Sequence, residues 1–119
     1  MSHTSPKRFH LPASAIRPLA EGRGSCIASD RITVDGMAVG FMYRAEPDNS
    51  IDSGWRFFSG EETQEYADQA ENFEICDVNT IANHDPSIID HLDAPIGSAF
   101  GRGDNGELVS EEMPSNLDD

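Results

Sequence analysis

Positive charge is scarce in most of this chain. Of its eight lysines and arginines, five fall within residues 1–31, and residues 32–119 hold only Arg44, Arg56 and Arg102 against twenty carboxylates. The formal charge of the whole sequence is −14 at pH 7. Phosphate contacts need clustered Lys and Arg, so this balance argues against direct nucleic-acid binding and against an anionic membrane surface. No apolar run approaches the ~20 residues of a membrane span. No apolar stretch follows Lys7 and Arg8 in the manner of a secretory signal, so a cytoplasmic location is expected. Cysteine is limited to Cys26 and Cys76. Their spacing fits no zinc cluster, and in a reducing compartment two free thiols are expected rather than a disulfide. Tryptophan occurs once, at Trp55, beside two tyrosines and six phenylalanines. A chain of 119 residues suits one domain, and no internal repeat is visible.

Turn and cap signals divide what remains. Residues 1–23 mix prolines, serines and basic residues without apolar periodicity and read as a flexible basic leader. Ser25 to Ser29 is a strand candidate. Asp35-Gly36 lies between two β-prone runs, Arg31 to Val34 and Met37 to Arg44, and predicts a two-residue hairpin turn, because glycine accepts positive φ. Met37, Val39, Phe41 and Tyr43 would then share one face. Gly54 to Ser59 reads as the next strand, with Trp55 and Phe57 on one side and Arg56 and Phe58 on the other. Ser59-Gly60-Glu61-Glu62 has the form of a capping box opening a helix over residues 60–71. Glu74 to Asp77 suits a strand, with Phe73 and Ile75 inward. Asp77 can cap a helix over residues 78–83, and Asp85-Pro86 can open a second that buries Ile88, Ile89 and Leu92. Residues 96–102 and 107–110 predict a closing hairpin, and 111–119 an acidic disordered tail. The expected fold is α+β: a single compact domain over residues 24–110, with a mainly antiparallel sheet and two or three short helices packed on it.

Three blocks carry a resemblance. They are Ile32-Thr33-Val34-Asp35-Gly36-Met37-Ala38-Val39-Gly40-Phe41-Met42-Tyr43-Arg44, then Asp52 to Glu62, then Asp77-Val78-Asn79-Thr80-Ile81-Ala82-Asn83 with Asp93-Ala94-Pro95-Ile96-Gly97-Ser98-Ala99-Phe100. Together they resemble the DUF2185 family, also described as the Imm33 type of immunity protein. The resemblance implies a compact bacterial α+β domain associated with polymorphic toxin systems, in which an immunity protein binds and silences a cognate toxin. It carries over no active site.

Each group with chemical potential has a plainer explanation beside it. Trp55, Phe57 and Phe58 can form a binding surface or simply the core. Arg44 and Arg56 can pair with neighbouring carboxylates, or with Trp55 make a ligand pocket for a carboxylate or phosphate. His84, Asp85, Asp90, His91 and Asp93 suggest a metal site by residue type. Pro86, however, starts a helix after His84, so the two histidines are not expected to converge, and neither metal nor cofactor is expected. Glu61, Glu62, Glu65 and Asp77 can serve acid–base chemistry or caps and solvation. No nucleophile elbow and no phosphate-cradling glycine loop is present, so the chain is not expected to be an enzyme.

A basic toxin domain is the natural complement of an acidic body, since opposed fields speed encounter and select partners. Glu46, Asp48, Asp52, Glu61, Glu62 and Glu65 are the candidate docking carboxylates, expected to gather at one end of the sheet. The alternative is a regulatory or housekeeping domain binding a small molecule near Trp55, Arg56 and Arg44. An edge strand also leaves room for a homo-oligomer.

Overall fold

The computed structural model describes residues 7–112. Six strands, β1 (Ser25–Ser29), β2 (Phe41–Arg44), β3 (Asp52–Phe58), β4 (Phe73–Asp77), β5 (Ala99–Arg102) and β6 (Leu108–Glu111), form one sheet in the order β4-β1-β3-β2-β5-β6. The β1–β3 pair is parallel and the other four are antiparallel. Short helices α1 (Asp30–Thr33), α2 (Gln64–Ala67) and α3 (Val78–His84) and a 3-10 turn over Pro86–His91 complete an α+β domain. Residues 1–6 and 113–119, the ends of the leader and acidic tail, lie outside the described residues.

The core lies on one side of the sheet. Cys26 and Ala28 of β1, Met42 of β2, and Trp55 and Phe57 of β3 meet Ile32 of α1, Val78, Ile81 and Ala82 of α3, and Ile88 and Leu92 of the 3-10 turn, all nearly or fully buried. Burial of this kind is worth about 1.5–3 kcal/mol per large side chain. The predicted sidedness of β3 holds, because Trp55 and Phe57 face this core. Both predicted caps form as well: the Asp77 carboxylate accepts from the Asn79 amide, and that of Asp85 accepts from the Ser87 amide.

Four local expectations fail for definable reasons. There is no hairpin at Asp35-Gly36. Ser29 Oγ accepts from the Arg31 amide and starts α1, and Gly36, at φ +78°, ends that helical turn with its amide on the Ile32 carbonyl. The positive φ that glycine offers a hairpin serves equally as a helix stop. The residues beyond it do not place Phe41 and Tyr43 with Val39: Met42 points into the core, while Phe41 and Tyr43 lie on the opposite face. The capping-box contact exists, with Glu62 Oε2 accepting from the Ser59 amide at 2.9 Å, but it closes a turn. The helix itself begins later, with Thr63 as its cap, and ends at Ala67. Finally, Phe73 and Ile75 face away from the core rather than inward, Phe73 against Phe58 and Ile75 72% exposed. Ile75 stands opposite Ile27 on the sheet face away from the core, while the core-facing position goes to Cys76 opposite Cys26.

Residues 7–23, the described part of the leader, lie along the domain. Lys7 Nζ reaches Asp30, Glu74 and the Phe73 carbonyl, each at 3.1 Å. The His10 amide donates to the Thr33 carbonyl, and Asn79 Oδ1 accepts from the Leu19 and Ala20 amides.

Candidate acidic docking surface

The six candidate carboxylates are divided by the strand that carries the aromatic motif. Glu46, Asp48 and Asp52 sit at or before the start of β3, whereas Glu61, Glu62 and Glu65 follow its end. At roughly 3.3 Å per residue, β3 keeps the two groups on the order of 20 Å apart. The expectation that all six gather at one end of the sheet is therefore corrected: an extended seven-residue strand cannot bring its two ends together.

Two of the six are committed to the fold. Arg56 donates from Nη1 and Nη2 to the two oxygens of Asp52 at 3.0 and 2.9 Å, and side-chain exposures are only 10% and 7%. Asp52 also accepts from the Asp48 and Gly54 amides. The guanidinium hydrogen bond lowers the Asp52 pKa well below the usual carboxylate range; burial opposes this, and the two amide donors add to it. Gly54, at φ +90° beside a shift in the β1–β3 register, belongs to the bend that sets Asp52 against Arg56. Asp48 adds a 3.4 Å contact to the same guanidinium from a side chain that is 73% exposed. At the other end, burial pushes the Glu62 carboxyl up, but hydrogen bonds from Ser29 and from the Ser59 turn outweigh it and hold the net pKa low.

Glu46, Glu61 and Glu65 are exposed, and among the described residues no salt bridge engages them. Between the two groups runs the sheet face opposite the core. There the Tyr43 and Phe58 rings stack at 5.9 Å, and Phe41 and Phe73 flank Phe58 at 6.3 and 5.8 Å. Phe41 and Phe58 floor an open groove of about 340 Å³, walled by Glu62, Thr63, Gln64 and Ala67. Charge patterning alone did not find this aromatic band, because the sequence places Phe41 and Tyr43 on one face with Val39, which the fold buries.

The residues expected to frame a small-molecule pocket sit elsewhere. Trp55 is 1% exposed, and its indole N–H donates to the Leu92 carbonyl. Arg44 lies over the Trp55 ring at 5.7 Å and donates to the Ser53 and Ala94 carbonyls. A ligand at Arg56 would have to displace Asp52. His84 neighbours His10, at 6.1 Å between rings, while His91 packs on Phe100 at 4.5 Å. Among the described residues no group of three His, Cys, Asp or Glu side chains is arranged to hold a metal ion. None of their helices is long and apolar enough to cross a membrane.

The third arginine of the body, Arg102, is also bound internally. It donates to Asp85 at 2.7 Å and to the Val39 carbonyl, and Asp85 in turn accepts from the Val39 amide. All three arginines of residues 32–119 thus point their charge at the protein's own acceptors, leaving the surplus of carboxylates to face outward.

A family model described as the immunity protein Imm33 domain matches residues 26–112. That span is most of the chain, and the chain belongs to this family. No curated protein and no solved structure matches it.

Proposed function

We propose that this member of the Imm33 family neutralises a cognate basic toxin domain in the cytoplasm by binding it, without catalysis, and covering its working surface. One observation carries the reading: Arg44, Arg56 and Arg102 are engaged by acceptors of the fold itself, while Glu46, Glu61 and Glu65 stand exposed on either side of an aromatic sheet face. A positively charged partner laid along that face meets carboxylates at both ends and rings between them. Aromatic contact supplies desolvated area, and the flanking carboxylates supply steering and register. Glu46, Glu61 and Glu65 are the steering groups. Asp48 contributes its exposed edge, and Asp52 and Glu62 hold the backbone that presents the others.

The test begins with affinity capture of the tagged chain from its native cells at low and then moderate salt. Association rates with the purified partner are then measured for the chain and for a Glu46→Lys, Glu61→Lys, Glu65→Lys triple variant. Steering predicts an association rate lower by roughly tenfold or more for the triple variant at low salt. The difference should shrink as the Debye length falls toward about 8 Å at physiological ionic strength. Equal rates at every salt concentration would remove these residues from the interface.

A further inference from the structure

Cys26 and Cys76 occupy directly opposed positions in the antiparallel β1–β4 pair, and their sulfurs stand 3.8 Å apart. Opposed residues in such a ladder have Cα atoms about 4.5 or 5.5 Å apart, according to whether the pair is hydrogen-bonded. Both values fall in the range of about 4.4–6.8 Å that a disulfide spans. Closing the sulfurs to a bond of about 2.05 Å therefore needs side-chain torsions and a small approach of the two strands.

The two thiols differ in access. Cys26 is fully buried, and its hydrogen bond with Cys76, together with burial, raises its pKa well above the ordinary range. Cys76 is partly exposed and lines a cavity of about 230 Å³, walled by Phe9, Leu11, Ile16, Thr80 and His84. Glu74 and Asp77 flank Cys76 along β4. Glu74 is paired with Lys7 at 3.1 Å, and the leader that walls the cavity carries Lys7, Arg8 and Arg17, so access turns on size: a cavity of this volume admits a hydroperoxide.

We propose that Cys76 and Cys26 form a hydroperoxide-oxidisable dithiol, with Cys76 attacking and Cys26 resolving. The Cys76 thiolate attacks one peroxide oxygen, the O–O bond breaks, and the leaving hydroxide takes up the thiol proton as water, giving a Cys76 sulfenic acid. The Cys26 sulfur then attacks the Cys76 sulfur and expels its hydroxyl, which leaves as water with the Cys26 proton. Two thiols and one hydrogen peroxide become one disulfide and two waters, and two electrons pass from sulfur to the peroxide. The bond closes a loop across fifty residues of sequence separation and fastens the edge strand β4 to β1.

The experiment treats the reduced, folded full chain with hydrogen peroxide and follows thiol count, intact mass and chain number. The expected result is joint loss of both thiols, a mass lower by two hydrogens, a monomeric product, and reversal by dithiothreitol. After trypsin, the peptide spanning residues 24–31 should be linked to the one containing Cys76. In a Cys26→Ala variant, dimedone should trap Cys76 as its sulfenic acid. Should that variant fail to fold, dimedone competing with disulfide formation in the unaltered chain gives the same readout. Retention of both thiols under peroxide that oxidises a free cysteine peptide would overturn the proposal. So would a disulfide that joins two chains, or direct passage of Cys76 to the sulfinic acid.

Discussion

Replacing Asp52 by asparagine isolates the ion pair beneath the aromatic motif. Arg56 and Asp52 are joined by two hydrogen bonds of 3.0 and 2.9 Å, with side-chain exposures of 10% and 7%. Asparagine keeps the shape but turns one acceptor oxygen into an NH2 donor aimed at a guanidinium that only donates. The uncompensated buried charge should cost about 3–5 kcal/mol, the usual penalty for removing one partner of a buried pair. A domain of this length holds roughly 6–18 kcal/mol in total, so the loss should be plain in the urea midpoint. Trp55, the only tryptophan and 1% exposed, is a built-in fluorescence probe of unfolding. Adding Arg56→Met should recover much of the loss, because an apolar replacement of a whole buried pair is often near neutral.

The pH dependence supplies an independent check. The folded-state pKa of Asp52 is depressed, so its contribution is complete above the unfolded value of about 3.9 and fades as pH falls below it toward the folded pKa. The unaltered chain should lose this contribution below about pH 4, and the asparagine variant should lack it. A midpoint within experimental error of the parent, or a double variant no better than Asp52→Asn alone, would refute the reasoning.

Three further outcomes are expected. Asp85→Ala should destabilise by about 3 kcal/mol or more, since it strands the Arg102 guanidinium and the Val39 amide together; urea titration measures it. Gly54→Ala should cost more than the ~1–3 kcal/mol of a strained backbone, because φ is +90° and the new methyl would run into the Ala45 carbonyl; thermal unfolding would show it. Burial, and secondarily the field of His10, lower the pKa of His84, so the unfolded state takes up its proton first as pH falls. Stability should drop as pH passes below about 6.5 and less so in His84→Gln, read from urea midpoints between pH 7.5 and 5.5.

What could be read from the sequence is what short-range physics decides. Asp77 and Asp85 cap because a carboxylate two residues before a free amide does so in nearly any context. The sidedness of β3 follows from the period of two. The Asp35-Gly36 pair departs from the expected hairpin because one backbone conformation ends helices and reverses hairpins alike. Ile75 departs from the expected inward position because strand alternation tells which residues share a face but not which face is covered. The candidate carboxylates illustrate the same limit. Asp52 and Glu62 are engaged inside the fold by partners whose proximity depends on a glycine bend and a turn, while the exposure of Glu46, Glu61 and Glu65 depends on the whole sheet.

The parallel pairing of β1 with β3 also governs how the domain can assemble. A parallel pair cannot be closed by a tight turn, and here the intervening chain must first supply α1 and β2. The other neighbour of β1, β4, arrives from fifty residues downstream. The middle of the sheet is thus built from segments that meet only after long loops have closed, which slows folding relative to a sheet of local hairpins. Until β4 docks, β1 presents a free edge and Cys26 is uncovered. Over that interval the chain's net charge of −14 opposes association with other copies.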